Sequence, residues 1–214
     1  MTAGESWLAV IGTAGRQSDA SRINRALYDA MYVETLRAMS DWGVRSLVSG
    51  GAAVADHLAV RAFLEGRAER LALLLPAPFA RSRGLYVRPS GGGGDAETAN
   101  RYHAQFSRAC GLVSLRELAE AISHGAEVHV GAGFKARNLE VAARATHLLA
   151  LTFGAPREAV DLTPDDPAFG DSRAAGLKDG GTAHTFREAW RCQVKRHVSL
   201  TLLERRLAAA AAPA

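Results

Sequence analysis

The stretch SLVSGGAAVAD, residues 46–56, decides the fold of this chain. The short apolar run from Ser46 to Val48 predicts a buried strand, and two glycines follow almost at once. Beyond the glycines, the small and apolar residues from Ala52 to Leu64 predict a helix. A strand that turns on glycines into a helix is the repeating unit of parallel α/β sheets.

The same alternation continues on both sides of this stretch, and Ser21 is the expected cap of the first helix. Further strands are predicted at residues 7–11, 70–75, 127–130, 147–152 and 197–199, and further helices at 22–42, 96–109, 115–123, 134–145, 182–195 and onward to about Leu207. Right-handed crossovers between such strands give a mostly parallel sheet with helices on both faces. We expect one Rossmann-like α/β domain over residues 1–207 and a disordered alanine-rich tail at 208–214.

The composition is that of an ordinary globular protein, with 48% apolar and 22% charged residues and a net charge of +4. Cys110 and Cys192 stand far apart, which argues against a disulfide framework and a zinc site. The seven histidines are scattered, so no metal is expected. No signal peptide and no membrane-spanning run is visible, and a cytoplasmic location is expected.

Glycine-rich segments follow the first and second strands and precede the 182–195 helix. Ligands of parallel sheets bind beyond the carboxyl ends of the strands, where glycines expose backbone N–H groups to anions. The ligand-binding candidates in these segments are Gly12, Thr13, Gly15, Arg16, Ser49, Gly50, Gly51, Ala52, Gly180, Gly181, Thr182, His184 and Thr185. The spacing is not GxGxxG and no acidic residue ends the second strand, so binding of NAD in the usual manner is disfavoured.

Several of these positions have two readings. Asp56 either contacts ribose hydroxyls or a neighbouring loop, or it complements the dipole of its helix or caps it. Thr182 either binds phosphate or caps its helix. His57 and His184 either contact the ligand or are structural. Arg137 and Asn138 either contact phosphate and base or belong to a solvated helix face.

Other segments suggest further features. Residues 81–95, with glycines at 91–94, predict a mobile loop, and Trp190 is expected in the core. The apolar helix at 22–42 serves either a homodimer or the core of its own chain. A basic helix face that suits a nucleic-acid backbone is predicted from Arg187, Arg191, Lys195 and Arg196.

Four segments in this order carry a family resemblance: TAGR, SGGAAVADHLA, ARNLEVAARATHLLALTFG and GGTAHTFREA. Over roughly residues 6–195 the chain resembles the SLOG superfamily of Rossmann-like nucleotide-binding proteins, which includes DNA-processing protein A (Smf) and the Lonely Guy phosphoribohydrolases. The resemblance places Gly50, Gly51 and Asp56 in the SGGA-G-D-A segment. It places Arg137 and Asn138 where the DNA-processing proteins read RN and the phosphoribohydrolases read RK.

The resemblance also implies that residues 180–182 cradle a phosphate. The phosphoribohydrolases carry PGGxGTxxE with a catalytic glutamate, whereas this chain reads DGGTAHTFRE and its Glu188 is out of register. Long insertions at 76–97 and 153–179 also depart from compact members. If the chain is an enzyme, Glu188 and Asp56 are the catalytic candidates.

Three functions follow as hypotheses. The first is binding or sensing of a nucleotide, with Arg16, Arg137 and Thr182 on phosphate. The second is hydrolysis of the N-glycosidic bond of a nucleoside monophosphate, which needs a carboxylate near the anomeric carbon. The third is binding of single-stranded DNA with a steep dependence on salt.

Overall fold

The computed structural model describes residues 5–90 and 92–211. The strands are β1 (Trp7–Gly12), β2 (Ser46–Ser49), β3 (Arg70–Leu75), β4 (Phe79–Ala80), β5 (Leu85–Tyr86), β6 (Glu127–Val130), β7 (His147–Thr152), β8 (Asp161–Leu162) and β9 (Val194–Ser199). The α-helices are α1 (Arg25–Trp42), α2 (His57–Leu64), α3 (Asp95–Cys110), α4 (Ser114–Ser123), α5 (Gly133–Arg144), α6 (Gly181–Glu188) and α7 (Leu200–Ala211). Short 3-10 helices occupy Gln17–Arg22 and Arg81–Arg83.

Seven of the strands form one sheet in the order β6-β3-β2-β1-β7-β9-β8. All neighbours are parallel except β8, which pairs antiparallel with β9 at the edge. The chain moves outward through β2 and β3 on one side of β1, and through β7 and β9 on the other. The strand order therefore reverses between β1 and β7, where open α/β sheets bind ligands. The expected mostly parallel α/β fold is confirmed.

Strand β1 shows how the sheet is covered on both faces. Leu8 and Val10 belong to the core cluster that includes residues of α1, α2 and α7. Trp7, Ala9 and Ile11 belong to a second cluster with residues of α5 and α6. Since successive side chains of a strand point to opposite faces, both faces of the sheet are buried.

The first helix begins later than expected. Residues 17–22 form a 3-10 helix, and α1 starts at Arg25. The cap is Asn24, whose side chain accepts a hydrogen bond from the backbone N–H of Leu27, so the expected Ser21 cap is wrong. Helix α1 buries Leu27, Tyr28 and Met31 in the core of its own chain.

The region before the last helix differs most from expectation. The predicted helix over 182–195 ends at Glu188, and residues 194–199 form β9 between β7 and β8. Lys195 and Arg196 therefore lie in a buried strand, and the predicted basic helix face does not exist. Trp190 was expected in the core but its exposed fraction is 67%.

Three loop and tail expectations also change. Within 81–95, a 3-10 helix links β4 to β5 in a short hairpin, while Gly91 lies outside the described residues. Between 154 and 179 the chain adds strand β8. Residues 208–211 continue α7 instead of forming a disordered tail, and residues 212–214 lie outside the described part. None of the helices in the described residues has the length and apolar character required to cross a membrane.

Candidate functional site

A cleft of about 660 Å³ opens at the carboxyl ends of β1 and β2. Its volume lies within the range of small-molecule sites, about 300–1,000 Å³. The cleft is lined by the glycine-containing loops that the sequence analysis predicted as ligand-binding, and by the first turns of α5 and α6. The predicted residues that line it are Gly12, Thr13, Arg16, Gly51, Ala52, Asp56, Arg137, Asn138, Gly180, Gly181, Thr182, His184 and Thr185.

Hydrogen bonds tie the walls of the cleft together. The hydroxyl of Thr182 donates to the carbonyl of Gly12 at 2.8 Å, which joins the start of α6 to the end of β1. The backbone N–H of Ala55 donates to the carbonyl of Thr13 at 3.2 Å, which joins the second loop to the first. The loops around the cleft are thus held by direct contacts between them.

A buried carboxylate organises the first loop. Asp19 accepts a hydrogen bond from the Thr13 hydroxyl at 3.0 Å and forms an ion pair with Lys178 Nζ at 2.7 Å. The Thr13 hydroxyl in turn accepts the backbone N–H of Gly15 at 3.1 Å. Both Asp19 and Lys178 line the cleft, and sequence reasoning missed them because their pairing joins residues 159 positions apart.

Asp56 and Arg137 form an ion pair in the floor of the cleft. Arg137 Nη1 donates to Asp56 Oδ2 at 2.8 Å, and the exposed fractions of the two residues are 7% and 4%. Burial raises the pKa of the Asp56 carboxyl, while Arg137 and nearby backbone N–H groups oppose that rise. The Asp56 side chain therefore does not cap α2 and is instead engaged by Arg137.

Gly50 lies directly beneath this ion pair. A Cβ atom on Gly50 would fall 1.6 Å from Arg137 Nη1, so no larger residue fits while the guanidinium is in place. Arg137 Nε is buried and has no hydrogen-bond partner in the described residues. The predicted solvated helix face around Arg137 is therefore wrong, because this side chain points into the protein.

The second loop is fixed from the core side. The carbonyl of Gly51 accepts hydrogen bonds from the Tyr86 hydroxyl at 2.6 Å and from His103 Nε2 at 3.0 Å. Burial lowers the pKa of His103 to about 4, so its ring is neutral at pH 7. Residues 52–56 are not helical as predicted, and the left-handed φ of 66° at Val54 marks the turn into α2.

Helix α6 presents its N-terminus to the cleft. Gly180 precedes it with φ 134° and ψ −157°, a conformation that is essentially restricted to glycine. No side chain caps the helix and its first turn contains no acidic residue. The hydroxyls of Thr182 and Thr185 both donate to backbone carbonyls, so the first-turn N–H groups are the donors available to an anion.

Cations and aromatic rings line the rim. Arg16 and Lys135 line the cleft and form no ion pair with the described residues. The guanidinium carbon of Arg16 lies 5.3 Å from the ring centroid of Tyr102 and 5.7 Å from that of Phe134. Sequence reasoning missed Tyr102, Phe134 and Lys135, which lie on α3 and α5.

Several predicted residues lie elsewhere. Glu188 does not line the cleft, and its Oε1 lies 3.7 Å from Nδ1 of His184, one helical turn away. Ser49 and Gly50 lie behind the lining residues, and Gly15 faces Val54 and Ile23. His57 is a core residue whose Nδ1 lies 2.9 Å from the Tyr28 hydroxyl.

The fold and the cleft define a mostly parallel α/β protein with a ligand-sized site at the switch point of its sheet. The chain is similar to a protein of Acanthamoeba polyphaga mimivirus named "Uncharacterized protein R261", with 32% identity over 158 residues. This match covers 70% of the chain and 83% of the viral protein, and the chain belongs to the same family as that protein. No family model matches the chain, and no solved structure matches it.

Proposed function

We propose that the cleft binds a nucleotide or a phosphorylated nucleoside derivative, in the manner expected of a SLOG-type domain. The observation that carries the proposal is that the predicted loops at 12–16, 49–52 and 180–182 all contribute residues to one cleft at the switch point. These segments are far apart in sequence, and each was predicted to bind phosphate because its glycines expose backbone N–H groups. Their convergence is what a shared ligand requires.

The charges of the cleft favour an anionic ligand. Three carboxylates line the cleft. Asp19 and Asp56 are paired with Lys178 and Arg137, and Asp179 accepts the backbone N–H of Gly180 at 2.9 Å. Arg16 and Lys135 are left without a carboxylate partner among residues 5–90 and 92–211. Together with the N-terminus of α6, they make the site a receptor for phosphate.

The same geometry supports binding more than hydrolysis or nucleic-acid recognition. A hydrolase needs a carboxylate at the sugar. Of the two predicted catalytic candidates, Glu188 lies outside the cleft and Asp56 is engaged by Arg137. The helix face that suggested binding of single-stranded DNA is divided between α6 and the buried strand β9.

Titration calorimetry with AMP, ADP, ATP and inorganic phosphate tests the proposal, and chromatography of each sample detects released base. We expect binding of at least one nucleotide without release of base. The double variant Arg16→Gln, Lys135→Gln should bind about tenfold more weakly, since each charged hydrogen bond contributes about 1.5–3 kcal/mol and an exposed one less.

Arg205→Gln is the matched control, because Arg205 is exposed on α7 and lies outside the cleft. It should bind as the wild type does. Absence of binding by the wild type to all four compounds at millimolar concentration would refute the proposal. Release of base would show turnover and return the hydrolase hypothesis to first place.

A further inference from the structure

The rim of the cleft contains two aromatic rings that do not belong to the glycine loops. Tyr102 lies on α3 and Phe134 in the first turn of α5, and both are half-buried. Each packs partly against the core that lies on the α1, α2 and α7 side of the sheet, and each also lines the cleft. Part of each ring is thus supported by the core while another part faces the ligand space.

Arg16 shows that a flat group fits beside these rings. Its guanidinium carbon lies 5.3 Å from the Tyr102 centroid and 5.7 Å from the Phe134 centroid. A guanidinium is planar and stacks on aromatic faces, as a nucleobase does. Arg16 is exposed at the rim, so it has room to move when a larger planar group enters.

Helix α5 relates these rings to the phosphate end of the cleft. Phe134 and Asn138 are four residues apart and share one face of the helix, about 6 Å apart along its axis. Asn138 Nδ2 lies 3.3 Å from the position of a Cβ atom on Gly181, at the N-terminus of α6. Asn138 therefore links the helix face that carries Phe134 to the start of α6.

We propose that Tyr102 and Phe134 form a stacking site for the base of the nucleotide, while the N-terminus of α6 holds its phosphate. This inference rests on the proposed function and specifies it further. The ligand class is a nucleotide whose planar base contributes to affinity, as opposed to a sugar phosphate bound by its phosphate alone. Tyr102 and Phe134 are specificity-determining residues because they distinguish these two classes.

Calorimetry with AMP and with ribose 5-phosphate tests the inference, because the two compounds share the phosphorylated sugar and differ in the base. Stacking of a base on an aromatic side chain changes affinity by about 5- to 100-fold. The wild type should bind AMP at least about tenfold more tightly than ribose 5-phosphate. The double variant Tyr102→Leu, Phe134→Leu should lose this preference and keep its affinity for ribose 5-phosphate.

Two control variants distinguish stacking from general damage. Trp190→Leu removes an aromatic side chain that is 67% exposed and lies outside the cleft, and it should change neither affinity. The exchange Tyr102→Phe, Phe134→Tyr keeps both aromatic faces and should keep the preference for AMP. If the double leucine variant does not fold, the wild-type comparison and the single leucine variants decide.

The outcomes separate this inference from the proposed function. Equal wild-type affinities for AMP and ribose 5-phosphate would overturn the stacking site and leave the phosphate cradle standing. Equal losses for both compounds in the leucine variants would also overturn it, since the rings would then support the sugar phosphate or the fold. If the wild type binds neither compound nor inorganic phosphate, the proposed function fails and this inference fails with it.

Discussion

The ion pair between Asp56 and Arg137 gives the sharpest test of the structure. Arg137→Met keeps an unbranched side chain of similar length and leaves the Asp56 carboxylate buried without its cation. Breaking a buried pair from one side costs about 3–5 kcal/mol of the free energy of unfolding. Urea denaturation at pH 7 measures this cost, and Arg205→Met on exposed α7 should change stability by less than about 0.5 kcal/mol.

The cost should depend on pH with a definite sign. Without Arg137, burial raises the pKa of Asp56 further above its value in the unfolded chain, about 3.9. A raised carboxyl pKa gives stability that is present below the unfolded pKa and is lost as pH rises. The difference between wild type and variant should therefore be small at pH 4 and largest near pH 7.

A second substitution completes the argument. Asp56→Asn in the Arg137→Met background removes the stranded charge, so it should restore much of the lost stability and flatten the pH dependence. A cost of less than about 1 kcal/mol for Arg137→Met would refute the proposed role of the ion pair. A cost that is the same at pH 4 and pH 7 would refute it equally.

Two further predictions concern other parts of the chain. Gly180→Ala should destabilise the protein by about 1–3 kcal/mol and weaken phosphate binding, because the φ of 134° at this position is strained for alanine. Thermal denaturation measures the loss of stability, and phosphate titration measures the loss of binding. Gly170→Ala is the control, because a Cβ atom at Gly170 would meet open space. Lys195 is buried with its Nζ donating to the carbonyls of Phe169 and Phe186, and burial lowers its pKa from 10.5 to about 8. The stability that follows from the lowered pKa of Lys195 is present above pH 10.5 and is lost as pH falls through 8. The wild type should therefore gain stability relative to Lys195→Met between pH 8 and 10.5, as measured by urea denaturation. A stability difference that stays constant over this range would contradict the prediction.

Most of the fold could be predicted because its strands are short apolar runs and its turns are marked by glycine. β1, β3, β6 and β7 lie where the local pattern places them. The meeting of the glycine-containing loops at one cleft could also be predicted, because parallel strands bring their carboxyl ends to one edge.

The strand predicted at 197–199 covers only the second half of β9, and the first half could not be predicted because its burial depends on distant partners. Lys195 is satisfied by two carbonyls, Arg196 by Asp161 and Asp41, and His197 by Thr152. A local pattern rich in lysine and arginine predicts a solvated helix face when the carbonyls and carboxylates that pair with these side chains are unknown. The same limit hid Tyr102 and Phe134, whose role at the cleft depends on how α3 and α5 pack.

The hydrogen bond from Thr182 to Gly12 joins residues that are 170 positions apart. During synthesis, the first loop leaves the ribosome long before α6 exists, so the cleft is assembled only when nearly all the described chain is available. A ligand therefore cannot guide the early stages of folding and acts on the finished fold alone. Its kinetic effect should be slower unfolding and greater resistance to proteases, with the rate of folding unchanged.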